Sequence, residues 1–250
     1  MPGLCIAAAQ SCSVAGDLAA NIAHHLRFMD LAARHGVQFL MFPELSLTGY
    51  EPQLAAGLAQ PADTALLQPL RECARELGIT TVVGLPLREA SQGSVFVGAL
   101  VLGADGEQAV YTKQHLHKGE EDFFTAGRGG APLVIGDEQI TLAVCADFNH
   151  PQHAQRARQA GATLYAASVL IGESGYPVDS AILQGYAHHH GMAVLMANHG
   201  GPTGGWHAAG RSALWGTDGM LIVEACGVGD QLLVAQRLAD GWQGRVERLG

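Results

Sequence analysis

Cys145 stands at the end of an apolar run, Thr141-Leu142-Ala143-Val144, and before a polar turn that Pro151 closes. Proline suits a first helical turn, where its missing N–H has no partner to lose. The pattern predicts a buried strand that stops at Cys145 and a helix over 151–160. In open α/β sheets ligands bind at that edge. A thiol there has free backbone N–H groups nearby, which stabilise a thiolate and then a developing oxyanion. A lone intracellular cysteine is more often an inert buried hydrophobe, so this stretch needs support from the rest of the chain.

Two further residues offer it. Glu44 follows Phe39-Leu40-Met41-Phe42-Pro43. A carboxylate at the end of so apolar a strand is partly desolvated, which raises its pKa and suits it to proton transfer; an ordinary solvated acid is the alternative. Lys113 ends the run Ala109-Val110-Tyr111-Thr112. Buried beside Cys145, its ammonium would stabilise a thiolate and an oxyanion; left at a sheet edge it would be a solvated lysine. Glu120 and Glu121 follow, and either could hold the lysine or a substrate, or simply belong to an acidic loop.

Other polar clusters offer less. The chain has 12 histidines, yet the runs His24-His25 and His188-His189-His190 would point in different directions on a helix. No HExxH or Cys/His ligand spacing occurs, so no metal is expected. A Cys–His pair using His150 or His199 is a second nucleophilic scheme, though no local signature supports it. Gly200-Gly201-Pro202-Thr203-Gly204-Gly205 lacks the Lys-Ser/Thr ending and the spacing of a phosphate loop and reads as a turn-rich connection.

The elements that must position these residues follow from periodicity. Strands are expected at 4–9, 38–42 and 79–83. Asp17 caps a helix to about Arg34 with Ile22, Leu26, Met29 and Ala33 as its apolar stripe, and Gly36 ends it. A second helix follows Asp63, with Leu66, Leu70, Cys73 and Leu77 on one face. Hairpins are expected at 94–112, around Ala104-Asp105-Gly106, and at 133–144, around Gly136-Asp137. A long loop, 114–130, separates them. Strands at 162–168 and 192–197 flank a helix over 178–190. Strands at 212–215, 220–224 and 232–237 close the chain. Helices alternating with strands at both ends, with hairpins between, predict helices packed on sheets in layers, in one domain over 1–250.

Composition narrows the class. The chain of 250 residues is 48% hydrophobic and 15% charged, with 33 glycines and a net charge of −9. That is enough chain for one large core. With no basic run, nucleic acid and anionic membrane surfaces are not expected as partners. No apolar run approaches the roughly 20 residues of a membrane span. The start, Met1-Pro2-Gly3-Leu4-Cys5, does not read as a signal peptide. Five scattered cysteines without a CxxC pair predict a reduced, cytoplasmic setting.

Taken together, three segments resemble the nitrilase superfamily of carbon–nitrogen hydrolases, its amidase-like branch. Phe42-Pro43-Glu44-Leu45-Ser46-Leu47-Thr48-Gly49-Tyr50 is similar to the segment around the family's catalytic glutamate. Tyr111-Thr112-Lys113-Gln114-His115-Leu116 is similar to the lysine segment, and Val144-Cys145-Ala146-Asp147 to the nucleophile segment. Their order is the family's order. The resemblance implies an α+β fold, a four-layer αββα sandwich, and a Glu44–Lys113–Cys145 triad. Glu120 best matches the family's supporting glutamate, with Glu121 its neighbour. Tyr50, Ala146 and Ser168 are placed by it at the substrate pocket, the Ala146 N–H as an oxyanion donor.

It also implies cleavage of a small linear amide or carbamoyl compound through a thioester, without metal or organic cofactor, in a homodimer or higher homo-oligomer. Departures fall at the pocket. Ala146 stands where an aromatic residue often follows the nucleophile, Asn149-His150-Pro151 replaces an Arg-Phe-Pro-like continuation, and Ala167-Ser168-Val169 replaces an Asn-Pro-Ser-like one. Nothing resembles the Trp-Glu pair that often follows the cysteine in true nitrilases, which favours an amide over a nitrile. Acyl transfer or nitrile hydrolysis on the same scaffold, and a non-enzymatic binding module, are the competing readings.

Overall fold

Alternation along the strands sorts the apolar side chains into three separate cores. Ile6 and Ala8 face one way and Ala7 and Ala9 the other; Phe39 and Met41 oppose Leu40 and Phe42; Leu164 and Ala166 oppose Tyr165 and Ala167. Successive strand residues point to opposite faces, so a strand that is apolar throughout must be covered on both sides. The computed structural model describes residues 3–89 and 93–250.

Among the described residues thirteen strands form two sheets. The first sheet uses β1 (Cys5–Gln10), β2 (Phe39–Met41), β3 (Thr80–Arg88), β4 (Val95–Leu102), β5 (Gln108–Thr112), β12 (Gln231–Leu238) and β13 (Gly241–Arg248), in the order β13-β12-β1-β2-β3-β4-β5. The second uses β6 (Leu133–Ile135), β7 (Glu138–Val144), β8 (Leu164–Val169), β9 (Ala193–Asn198), β10 (Ala213–Trp215) and β11 (Leu221–Glu224), in the order β11-β10-β9-β8-β7-β6. At the heart of each lie three parallel strands, β1-β2-β3 and β7-β8-β9.

The central core lies between the sheets, where Ile6, Phe39, Met41 and Val97 meet Leu142, Val144, Leu164 and Leu195. Outside the first sheet pack α1 (Leu18–Arg34) and α3 (Gln68–Leu77); α2 (Ala55–Leu58) is a single turn. Outside the second pack α4 (Pro151–Gln159) and α5 (Tyr176–His190). The architecture is therefore the expected four-layer αββα sandwich, with two mixed sheets.

The helices differ from expectation in which face they bury. On α1 the buried residues are Asn21, His25, Phe28, Met29 and Ala32, while Ile22, Leu26 and Ala33 are only partly covered. Two polar residues take core positions because every polar group they bring is paired. The Asn21 amide bonds both the N–H and the C=O of Val14 and donates to Leu47 O. The His25 ring stacks on Phe42 at 3.9 Å. Its Nδ1 faces Asn21 O at 2.7 Å and its Nε2 faces Ser46 Oγ at 2.9 Å. A carbonyl only accepts, so Nδ1 carries the proton and Nε2 accepts from Ser46. Burial lowers the His25 pKa to about 3, which keeps the ring neutral. On α3 the buried positions are Leu70 and Ala74, with Leu67 just before it, whereas Leu66 is exposed. That helix starts at Gln68, with Pro69 in its first turn, rather than directly after Asp63.

Two elements escape the periodicity reading. The β13 sequence, Gly-Trp-Gln-Gly-Arg-Val-Glu-Arg, is largely polar because it is an edge strand paired only to β12. The other is the short helical stretch at 52–58. Among the described residues no helix is long and apolar enough to cross a membrane.

Candidate active site

Three chain reversals bring the polar residues together at one end of the sheets. The first begins where β2 ends. Leu45 adopts a φ of 52°, unusual for a branched side chain, and turns the chain so that Ser46 N and Thr48 N bond back to Pro43 O and Leu45 O. Gly84 on β3 lies beneath this turn, and a Cβ there would stand 2.4 Å from Leu45 N. The His25–Ser46 hydrogen bond described above braces the same turn from the helix side. Glu44 is thereby held at 1% exposure.

The second reversal carries Lys113 out of β5. Its backbone is fixed by Lys113 N donating to Val97 O and Gly127 N donating to Lys113 O. Its ammonium donates to Glu44 Oε1 at 2.7 Å and to Glu120 Oε1 at 2.8 Å, and the side chain is fully buried. Glu120 is fixed in turn: Tyr50 OH donates to Oε1 at 2.7 Å, and His117 N to Oε2 at 2.8 Å. Glu121 faces solvent and receives Gly119 N instead, so the structure distinguishes the two acids that the sequence left open.

The third reversal is the step from β7 into the 3-10 turn Cys145–Asn149. Cys145 has a φ of 42°. A non-glycine residue in this region costs on the order of 1–3 kcal/mol and persists only where its surroundings over-determine it. Asp147 supplies the constraint. Its Oδ2 accepts from Val144 N and Tyr111 OH; its Oδ1 accepts from Gln114 N, His115 N and the His115 ring. One buried carboxylate thus ties the cysteine turn to the lysine loop. Tyr111 OH also meets His153 Nε2 at 2.9 Å, and His153 Nδ1 meets Tyr165 OH at 2.8 Å.

The electrostatics follow from burial and mutual attraction. Desolvation is the largest influence on Glu44 and raises its pKa to about 7; Lys113 pulls it down, Glu120 pushes it up, and the Cys145 thiol adds a small downward pull. Glu44 Oε2 has no hydrogen-bond partner of ordinary length among the described residues. On Lys113, burial opposes the charge, but the carboxylates and Cys145 outweigh it and hold the ammonium above its usual range. Burial and the Glu44 charge push the Cys145 thiol up, against the pull of Lys113. Its Sγ lies 3.7 Å from Leu170 O, to which the thiol donates weakly.

Cys145 is half-buried at a cavity of about 230 Å³ that Glu44, Tyr50 and Glu120 also line. This is below the usual 300–1,000 Å³ of drug-sized sites and suits a small acyl group. A larger hollow of about 470 Å³, between Arg88, Thr112 and Arg128, is not lined by a cysteine.

The remaining expected residues are placed as follows. Ala146 is buried at the start of the 3-10 turn, where a backbone N–H lacks an intrahelical acceptor. Ser168 does not line the cavity; its hydroxyl donates to Phe42 O at 2.9 Å and ties the second sheet to the end of β2. A Cys–His pair is not formed. His199 Nε2 donates to Glu44 O at 2.7 Å, and His150 is exposed, stacked on His115 at 3.8 Å. The glycine-rich segment clamps Tyr50: Tyr50 N donates to Thr203 Oγ1, and a Cβ on Gly204 would collide with Tyr50 O. Among the described residues no cluster of three or more His, Cys, Asp or Glu could hold a metal ion. Asp147, Tyr111, His117, Asp179 and Trp206 were not singled out from sequence. Only Asp147 had a signal, its place two residues after the cysteine.

Comparison with known proteins gives a consistent result. A family model described as Carbon-nitrogen hydrolase matches residues 5–243. A cysteine-to-alanine mutant of the amidase from Nesterenkonia sp. AN1, in complex with butyramide, is 30% identical with a TM-score of 0.84, over 94% of this chain and 91% of that one. The (R)-stereoselective amidase of Pseudomonas sp. is 25% identical over 84% of this chain and 76% of its own length. Nit3 of Saccharomyces cerevisiae, a member of branch 10 of the nitrilase superfamily, shares the fold with a TM-score of 0.87 at 18% identity, over 94% of this chain and 90% of that one.

Proposed function

The chain belongs to the carbon–nitrogen hydrolase family of the nitrilase superfamily, and from that premise we propose that it hydrolyses a small linear amide through a thioester on Cys145. The observation that carries this reading is the buried chain Glu44–Lys113–Glu120 at the foot of the cavity that Cys145 enters.

Glu44 takes the thiol proton as Sγ attacks the amide carbonyl carbon. Its raised pKa, near neutral, suits it to accept that proton and to give it up again. The tetrahedral oxyanion is held by the Lys113 ammonium and the Ala146 N–H. An ammonium has three donors; Glu44 and Glu120 take two, and the third serves the oxyanion. Glu44 returns the proton to the leaving nitrogen, ammonia departs, and the carbonyl carbon remains bonded to Sγ. Water deprotonated by Glu44 then attacks the thioester, releasing the acid and restoring the thiol. Glu120, held by Tyr50 and His117, keeps the lysine in place. The charge needed to stabilise the transition state is thus fixed before substrate arrives, which is the efficient arrangement.

The test is ammonia release from a panel of small amides, with rapid acid quench and intact-mass measurement. Wild type should release ammonia and show an acyl adduct, and Cys145→Ala should do neither. Ammonia release retained by Cys145→Ala would overturn the assignment.

A further inference from the structure

Beyond the reacting groups, the cavity wall carries a carboxylate that no described residue pairs. Asp179, in the first turn of α5, is half-buried and lines the same cavity as Cys145. Among the described residues its carboxylate makes no hydrogen bond and no ion pair. His117 lines the same cavity and exerts an attraction on it, and the His117 ring meets Trp206 edge-on at 6.1 Å. Among the described residues the wall offers no free lysine or arginine. Lys113 is engaged by Glu44 and Glu120, and Arg211 lies off the wall, paired with Glu224. Trp206 adds an aromatic ring that is 45% exposed.

We propose that the cavity selects amides whose acyl chain carries an ammonium group, bound between Asp179 and Trp206. The proposal rests on the amidase reading and adds the substrate's charge to it. An unpaired, partly desolvated carboxylate costs free energy that an ammonium partner would offset. An aromatic ring lining the same cavity contributes a further ~0.5–2 kcal/mol toward a cation. A carboxylate on the acyl chain would instead meet Asp179 with no compensating cation, so ω-amides of dicarboxylates are disfavoured. The cavity volume limits the chain to a few heavy atoms. Asp179 also sits favourably in the first turn of α5.

Three small amides vary the charge: β-alaninamide (cationic) and butyramide (neutral), which match in size, and the somewhat larger succinamate (anionic). Binding is read on the Cys145→Ala protein by calorimetry, so that it does not depend on turnover. β-Alaninamide should bind at least about tenfold more tightly than butyramide, and succinamate more weakly than either. In the double variant with Asp179→Asn the cationic preference should fall to about unity, and with Trp206→Leu it should shrink by a smaller factor. Equal binding of the three amides, or a preference that survives Asp179→Asn, would overturn the proposal. Turnover by the wild-type enzyme is scored separately. Butyramide hydrolysis without a cationic preference leaves the amidase reading standing and removes this one. Absence of ammonia from every amide, with preferential ammonium binding intact, does the reverse.

Discussion

Two buried polar networks converge on the cysteine turn, and they differ in how completely they are satisfied. In one, Asp147 accepts five hydrogen bonds shared between its two oxygens, and Tyr111, His153 and Tyr165 continue the chain. In the other, Lys113 bridges Glu44 and Glu120, and Glu44 Oε2 has no partner of ordinary length among the described residues. Buried acceptors are normally paired, and an open one calls for a reason. A saturated network rigidifies; a network with a vacant acceptor next to a nucleophile can receive a proton. The first holds the cysteine at its strained φ, and the second is arranged to use it.

The sharpest test of this contrast compares two substitutions close together in sequence. Cys145→Ala should reduce ammonia release to background while shifting Tm by no more than about 2 °C, because it deletes only a half-buried thiol. Asp147→Asn should leave donors on Val144, Tyr111 or His115 facing an amide N–H. The expected loss is about 3 kcal/mol, or a fall in Tm of about 6–12 °C for a chain of this size. Thermal melts and ammonia assays on both proteins check this; an Asp147→Asn protein as stable as wild type would remove the brace from the argument.

Within the open network, Glu44→Gln should lower kcat by about 10²–10⁴-fold, the usual contribution of a positioned general base. The pH profile sharpens the assignment, because one carboxyl should produce two opposed trends. Burial raises the folded-state pKa of Glu44 from 4.5 to about 7. Between those values the folded protein keeps a proton that the unfolded chain has released. That contribution to stability is present below pH 4.5 and is lost as pH rises toward 7.

Activity runs the other way: kcat/KM should fall about tenfold per unit as pH drops below about 7, since the base must be ionised. The buried histidines act oppositely on stability. His199, lowered to about 4, and His25, lowered to about 3, cost stability as pH falls from 6.5 through those values. The quantity to measure is therefore the wild-type minus Glu44→Gln difference in Tm from pH 4.5 to 7.5. A flat difference would separate the proton from Glu44.

The smallest effect should come from Tyr50→Phe. It removes one of the three donors on Glu120, at 2.7 Å, while Lys113 and His117 N remain. We expect a loss of about 1 kcal/mol in stability and less than tenfold in kcat, read from melts and initial rates. A loss as large as that of Glu44→Gln would place Tyr50 in the chemistry rather than behind it.

The sequence by itself determined the layers and marked Glu44, Lys113 and Cys145, which the structure brings together. Strands such as Phe39–Met41 and Leu164–Val169 are buried at every position, the first wholly apolar and the second apolar or aromatic but for Ser168, and only a sheet covered on both faces buries them. Glu44 and Cys145 each close a buried strand, and Lys113 follows the edge strand Gln108–Thr112, so a strand end marks each of them. What only the tertiary structure decided are the relations between distant segments. Periodicity places Ile22 and Leu26 in the core of α1, but Asn21 and His25 take that place because Val14, Ser46 and Leu47 supply partners that no local window contains. The edge strand Gly241–Arg248 is polar, and pairing to β12 rather than composition makes it a strand. Glu120 is separated from Glu121 by Tyr50, 70 residues away in sequence, and Ser168 is turned from the cavity to Phe42 O, across 126 residues. Asp179 and Trp206 gain meaning only from the cavity they share with Cys145. Burial and strand direction follow from neighbours in the chain, whereas the partner that satisfies a polar atom follows from sheet register and packing.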